Sequence, residues 1–488
     1  MNWQVLSSLF TIAAYFGILM TISWYTSRQA NSESYFLGNK NSPWFIVAFG
    51  MIGDSLSGVT FVSVPGEVGV QSFAYLQIVL GYVLGYWVIG AVLLPLYYRL
   101  NIISIYSYLG QRFGNQAQQA GSIFFLLSRT IGAAFRLFIS AGVLQVFLFD
   151  HLHVPFAVTV SIIIVLILLY TLKGGIKTLV WTDTFQSLFL LMGVILTAVA
   201  ILNKMDWSLI DAYQNISESK LSNVFVWDPK SKLYVFKQLL SGMFIAIAMT
   251  GLDQNMMQKN LSCRSLKDAQ KNIYWFSLIV VIVNVIFLCL GALMYLMAES
   301  QGIAIPEKTD RFLPMLAQSH LGIAASIVFL LGITAATFSS ADSVLTTLTT
   351  SFYIDVLKLD QTQKPEKELK KARNIIHASF AFLLLLVIIL FDVINNGTVI
   401  SGIFTAAGYT YGPLIGLFAF GIYTQKSVRL NFVWPVCLLA PVLSYFLSTN
   451  SKTLFSGYQI GFELLIINGL FTFLGLWLIS RNRVIEID

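Results

Sequence analysis

Apolar runs about as long as a bilayer is thick recur along almost the whole chain, and that repetition bounds the fold more tightly than any motif. A helix needs about 20 apolar residues to cross the hydrocarbon core, which allows roughly thirteen spans here. They fall near 4–26, 43–65, 74–98, 121–149, 154–171, 178–203, 236–256, 272–298, 323–356, 371–392, 397–423, 430–448 and 458–480. Lipid offers no partner for a free backbone group, so the chain is expected to be an all-α integral membrane protein. Composition agrees: 11% of residues are charged, against about 25% in soluble domains.

The net charge of +7 is scattered through short loops instead of gathered on one solvated face, which argues against a nucleic-acid partner. It reads instead as topology. An odd number of spans puts the termini on opposite sides. With the C-terminus inside, twenty of the 30 Lys and Arg, Lys259 among them, fall in inner segments, and eight fall in outer ones. The expected address is the cell membrane, multi-pass, of the bacterial inner-membrane kind. The N-terminus lies outside and reads as a retained helix. The three cysteines and four histidines have no metal or disulfide spacing. Gly174-Gly175 is a turn without the GKS/T of a phosphate loop. No catalytic residue set emerges, so no enzyme, no transition metal and no resident cofactor are expected.

Within this apolar frame, MIGDSLSGVTFVSVPG (Met51–Gly66) is the costliest interruption. Gly53, Asp54, Ser55, Ser57, Gly58 and Thr60 break a lipid-compatible helix, and Val64-Pro65-Gly66 is expected to end it. A broken helix at membrane depth must line a cavity or be buried in protein, and an intramembrane Asp marks a functional site by default. The competing reading is a kinked structural helix whose hydroxyls bond back to the preceding turn. The ninth span is dense in hydroxyls over Ile333–Phe352, and Ala336, Ser339, Ser340 and Ser343 share one face. Such a face also suits close helix packing. Asp342 beside Ser343 favours a cation site, since alkali cations take carbonyl, hydroxyl and carboxylate oxygens.

Asp183 opens the sixth span, where an interfacial salt bridge is the alternative. Gly251 and Asp253-Gln254 interrupt the seventh, five spans after the first break, as expected of an inverted repeat with its site at the repeat interface. In the fourth span, Arg129 and Arg136 share a face. Either they neutralise intramembrane aspartates, or one fork receives a solute carboxylate. Tyr82, Tyr86, Tyr409 and Tyr411 are candidate ring faces.

These stretches together resemble the sodium:solute symporter family. The resemblance is carried by SYFLGNKNSPW, LSGVTFVSVPG, the LSRTIG polarity of the fourth span, YTLKGGIKTLVWTDTFQ, GLDQNMMQKNL and FSSADSVLTTLTTSFYIDV. It implies a leucine-transporter-type fold with two inverted five-helix repeats at 43–203 and 236–423. An extra helix at 1–30 would precede them, and two helices with a short tail at 430–488 would follow. It implies sodium as coupling ion and sodium-coupled symport of a small organic solute by alternating access. The principal sodium site would take the carbonyls of Gly53, Leu56 and Ala336 and the hydroxyls of Ser339 and Ser340. A second cation site would lie at Asp183, Asp342 and Ser343. The carboxylate at 342 departs from the family, so a second sodium there is either better held or replaced by a proton or an internal Arg pair. Ser57 and Thr60 match solute-facing positions, and Gln77, Arg136 and Gln254 are added from depth and chemistry.

A carboxylate-bearing solute, of sialic acid or monocarboxylate type, is favoured by Arg136. A neutral sugar is the alternative. A channel would need a continuous polar stripe, and a transporter-like sensor would need a signalling domain. The expected partners are the solute, sodium ions and the lipid bilayer, with no obligate protein partner.

Overall fold

The computed structural model describes residues 3–26, 36, 40–394 and 399–481. Helix α1 (Trp3–Thr26) leads to the interrupted second span, α2 (Trp44–Ser55) and α3 (Gly58–Gln71). Next come α4 (Tyr75–Val88), a π turn (Ile89–Leu93), α5 (Leu94–Leu100), α6 (Ser107–Phe113) and α7 (Asn115–Leu144). The long α8 (Phe156–Met205) is parted at Gly175 (φ 56, ψ −160), a conformation that favours glycine. The loop after it carries α9 (Leu209–Glu218), whose first turn is closed by a Ser208–Asp211 capping box.

The seventh span is α10 (Val235–Ala246), a π turn (Ile247–Gly251) and α11 (Gln254–Leu261), with the two halves bent by 64°. The chain continues as α12 (Leu266–Gln301), α13 (Phe312–Ser319), α14 (Ile323–Ser351), α15 (Glu366–Ile394), α16 (Val399–Thr410) and α17 (Gly412–Tyr423). The last helices are α18 (Val433–Thr449), α19 (Ser451–Leu454) and α20 (Leu464–Leu478). A short antiparallel pair, β1 (Ser427–Val428) with β2 (Ser480–Arg481), closes the described chain.

Among the described residues, eight helices are long and apolar enough to cross a bilayer, or ten when the two bent pairs count as spans. Three shorter apolar helices, Trp44–Ser55, Phe156–Leu172 and Leu464–Leu478, lie outside that count. Thirteen spans therefore remain an expectation, because breaks and run-on helices such as Gly58–Leu100 blur where one crossing ends. The Arg28 and Arg483 positions used in the topology count lie outside the described residues.

Two expectations need correction. Helix α3 does not stop at Pro65-Gly66: the proline sits inside it, and the helix runs on to Gln71. Packed neighbours allow this, since bundled transmembrane helices tolerate a missing N–H. Lys259 is not in a loop either. Helix α11 carries it back into the bundle, where its side chain is 1% exposed.

The site is framed by α2, α8, α11 and α14. Helix α14 packs along α8, and every residue from Ile333 to Ser351 is buried. The two helices pass close together at a pair of glycines, where a Cβ on Gly193 would lie 2.9 Å from the Gly332 Cα.

Candidate functional site

At the first break the backbone leaves the helical ladder at Leu56 (φ −100, ψ 74) and runs extended through Ser57 (φ −73, ψ 177). The last carbonyls of a helix have no intrahelical donor. Here Ile52 O accepts from the Leu56 N–H at 2.7 Å and Asp54 O from Arg136 Nη1 at 3.2 Å. Gly53 faces α14 directly, for a Cβ on it would lie 2.7 Å from Ser339 Oγ. Its N–H donates to Ser187 Oγ at 2.8 Å. On α14, Ser340 Oγ is buried without a hydrogen-bond partner among the described residues, and Ala336 is buried one turn earlier. Gly53 and Ser339 thus meet where α2 ends against α14, with Leu56 at the break itself and Ala336 and Ser340 on the same stretch of α14. A helix end beside a stretch of buried hydroxyls is chemistry suited to a hard monovalent cation.

Beside this junction lies a charged cluster. The Lys259 ammonium contacts both Asp54 and Asp183 and donates to Ser343 Oγ at 2.9 Å. Asn255 Nδ2 donates to Asp54 Oδ2 at 3.2 Å. Ser339 and Ser343 donate to Asp183 at 3.2 and 3.3 Å. Asp183 and Ser343 therefore meet as expected, whereas Asp342 does not join them. Consecutive residues point about 100° apart around a helix, so Asp342 faces the first half of α8, where Tyr170 OH donates to Oδ2 at 2.9 Å. The cation that balances the cluster is a lysine, not an arginine pair.

The second break is stapled by side chains. Asp253 caps α11 by accepting from the Met256 N–H at 3.2 Å. It also accepts from Tyr411 OH at 2.6 Å and pairs with Arg129 at 3.6 Å. The freed carbonyls of Gly251 and Leu252 each accept a tyrosine hydroxyl at 2.9 Å, from Tyr97 and Tyr106.

A cavity opens next to the first break. Ser57, Thr60, Arg136 and Arg129 line it, with Tyr75, Tyr82, Tyr86 and Asn284 from neighbouring helices. Arg136 forms no ion pair among the described residues, so the neutralising role fits Arg129 alone. Gln77 and Gln254 are not brought to this cavity. The Gln77 amide binds Leu233 O at 3.0 Å and the Val226 N–H at 3.2 Å, fastening the long loop. Gln254 binds Ile103 O and the Ile105 N–H, both at 2.9 Å. Tyr411 is spent on Asp253, and Tyr409 packs 6.2 Å from the Tyr445 ring.

Sequence reading missed Lys259, Tyr75 and Asn284. Lys259 sits among Asn255, Gln258 and Asn260, a polar run that looks like a loop. The available signal was charge balance: aspartates inside spans call for a cation.

The profile of the sodium:solute symporter family matches residues 35–430. A sodium/sialic acid symporter of Aliivibrio fischeri is 25% identical over 94% of this chain and 91% of its own length. One of Proteus mirabilis is 24% identical over 84% and 83%. A solved outward-open, substrate-bound Na+-coupled sialic acid symporter superposes with a TM-score of 0.82, covering 98% of this chain and 99% of that one at 19% identity. The shared fold is the leucine-transporter type.

Proposed function

This chain belongs to the sodium:solute symporter family, and from that premise we propose that it imports a small carboxylate-bearing solute, of sialic acid or monocarboxylate type, with sodium. Sodium is the coupling ion, and the protein is a multi-pass membrane carrier. The family consists of carriers, and flux driven by the ion gradient, not bond chemistry, is the activity read here.

Arg136 carries the assignment of the solute. Its guanidinium stands at the cavity wall beside Ser57 and Thr60, with a backbone carbonyl as partner and no carboxylate paired to it among the described residues. A planar fork that no carboxylate pairs with among the described residues, at the wall of a buried cavity, suits bidentate binding of a carboxylate. Support comes from relatives that are themselves sialic acid symporters.

Sodium at Gly53, Leu56, Ala336, Ser339 and Ser340 would tie the broken second span to α14. An ion biases a conformational equilibrium only through unequal affinity for its states. The ion that closes this junction orders Ser57 and Thr60, which follow the break. Linkage then makes solute and sodium raise each other's affinity, by about 1–3 kcal/mol. Each charge carried inward through about 100 mV adds about 2.3 kcal/mol of drive.

The inverted repeats are assigned to 43–203 and 236–423. The charge bias still favours an outside N-terminus and an inside C-terminus after Lys259 is removed from the count, in a bacterial inner membrane. The deciding experiment is uptake of N-acetylneuraminate and pyruvate, against glucose, into proteoliposomes by the wild type and Arg136→Gln. Sodium-driven uptake of an acid that the variant loses supports the assignment. Uptake of glucose alone, untouched by the substitution, overturns it.

A further inference from the structure

Lys259 occupies an oxygen cage that would otherwise suit a free alkali ion. The cage has carboxylates from two helices, Asp54 on α2 and Asp183 on the second half of α8, and the Ser343 hydroxyl from a third, α14. The lysine arrives from a fourth element, α11, beyond the second break. Its side chain is 1% exposed, and both carboxylates are 0% exposed.

This cage shares a wall with the principal sodium site. Ser339 donates to Asp183 Oδ1 at 3.2 Å, and it is also the hydroxyl that faces Gly53. We propose that the Lys259 ammonium is the built-in occupant of the second cation site, so that this carrier binds one sodium ion, at the principal site. The proposal rests on the sodium-symport reading and deepens it.

The ammonium weakens the hold on a second ion beside it, relative to the same two carboxylates without the lysine. Two unit cations about 4 Å apart at an effective dielectric near 20 repel strongly enough to cost roughly a thousandfold in affinity. The same oxygens would also have to be shared, and Asp183 Oδ2 already accepts from both Lys259 and Ser343. Unlike a diffusible ion, a tethered ammonium cannot leave with the solute, so it contributes cage charge without contributing transported charge.

The test uses the purified full chain with sodium alone as probe, read by equilibrium binding of radioactive sodium and by sodium-dependent thermal shift. The wild type is expected to bind one equivalent. Lys259→Met, which vacates the cage, is expected to gain a second equivalent, and adding Asp183→Asn to it should abolish the gain. Lys259→Met/Asp54→Asn removes one carboxylate together with the ammonium, and it gives the same reading where the single variant fails to fold. Two equivalents in the wild type overturn the proposal whether or not the variants accumulate. No gain in either variant reduces Lys259 to a brace and also overturns it. A wild type that binds no sodium removes the symport reading itself, and the proposal with it.

Discussion

Ser339 donates its hydroxyl hydrogen to Asp183 at 3.2 Å from a position that also confronts Gly53 across the helix junction. The proposed sodium junction and the lysine cage are thus neighbours through one side chain, and substitutions at either should be felt at the other.

Ser340 contributes a buried hydroxyl with no hydrogen-bond partner among the described residues. Ser340→Ala should therefore leave folding almost intact while weakening sodium activation about tenfold or more, the equivalent of about 1.4 kcal/mol. Uptake measured against sodium concentration in proteoliposomes checks this, and an unchanged half-saturation removes Ser340 from the site.

Gly53→Ala places a methyl group 2.7 Å from Ser339 Oγ and 2.8 Å from Ser187 Oγ. Overpacking of this kind costs about 1–3 kcal/mol, and here it pushes α2 away from α14. The expected result is a lower thermal midpoint together with a raised sodium requirement. A variant with wild-type sodium dependence would place the ion elsewhere.

The two arginines of α7 should part company. Arg129→Gln strands Asp253 in the membrane interior, and breaking a buried pair costs about 3–5 kcal/mol, so loss of folded protein is expected by size-exclusion and thermal unfolding. Arg136→Gln removes only a contact to the Asp54 carbonyl. That variant should fold and lose uptake of acidic solutes at least tenfold, about 1.4 kcal/mol. Equal instability of the two would contradict the assignment.

Gln77→Ala should lower the thermal midpoint, because it leaves the Val226 N–H and Leu233 carbonyl without their side-chain partner. Both groups are half-buried, so the cost falls below the about 1–3 kcal/mol of a fully buried unsatisfied group. Apparent affinities for sodium and solute should stay at the wild-type value. A selective change in solute affinity would return Gln77 to the cavity wall.

Much of this arrangement was legible in the chain. Hydrocarbon forbids unpaired backbone, so the polar runs after Met51 and at Gly251-Leu252-Asp253 could be read as breaks in otherwise apolar helices; both spans are broken, the first at Leu56-Ser57, since Gly53, Asp54 and Ser55 stay helical. Depth was legible too, but direction was not. Gln77 and Gln254 are buried as expected yet turn toward loop backbone, and Asp342 turns a third of a circle away from Ser343. Long-range pairing was the least legible. Lys259 is 205 residues from Asp54 and 76 from Asp183, and nothing local ties them. Its flanking amides, Asn255 and Asn260, are polar because they too are engaged inside the bundle.

The tyrosine hydroxyls on Gly251 and Leu252 have a mechanical consequence. With its carbonyls clamped and Asp253 held by Arg129 and Tyr411, the later discontinuity is braced by the protein's own groups. The earlier one leaves the Ser340 hydroxyl beyond it without a partner among the described residues, so on the proposed reading its rigidity would be borrowed from the bound ion. One break is welded by side chains, and the other, on the proposed reading, is a latch at which a sodium gradient would do its work.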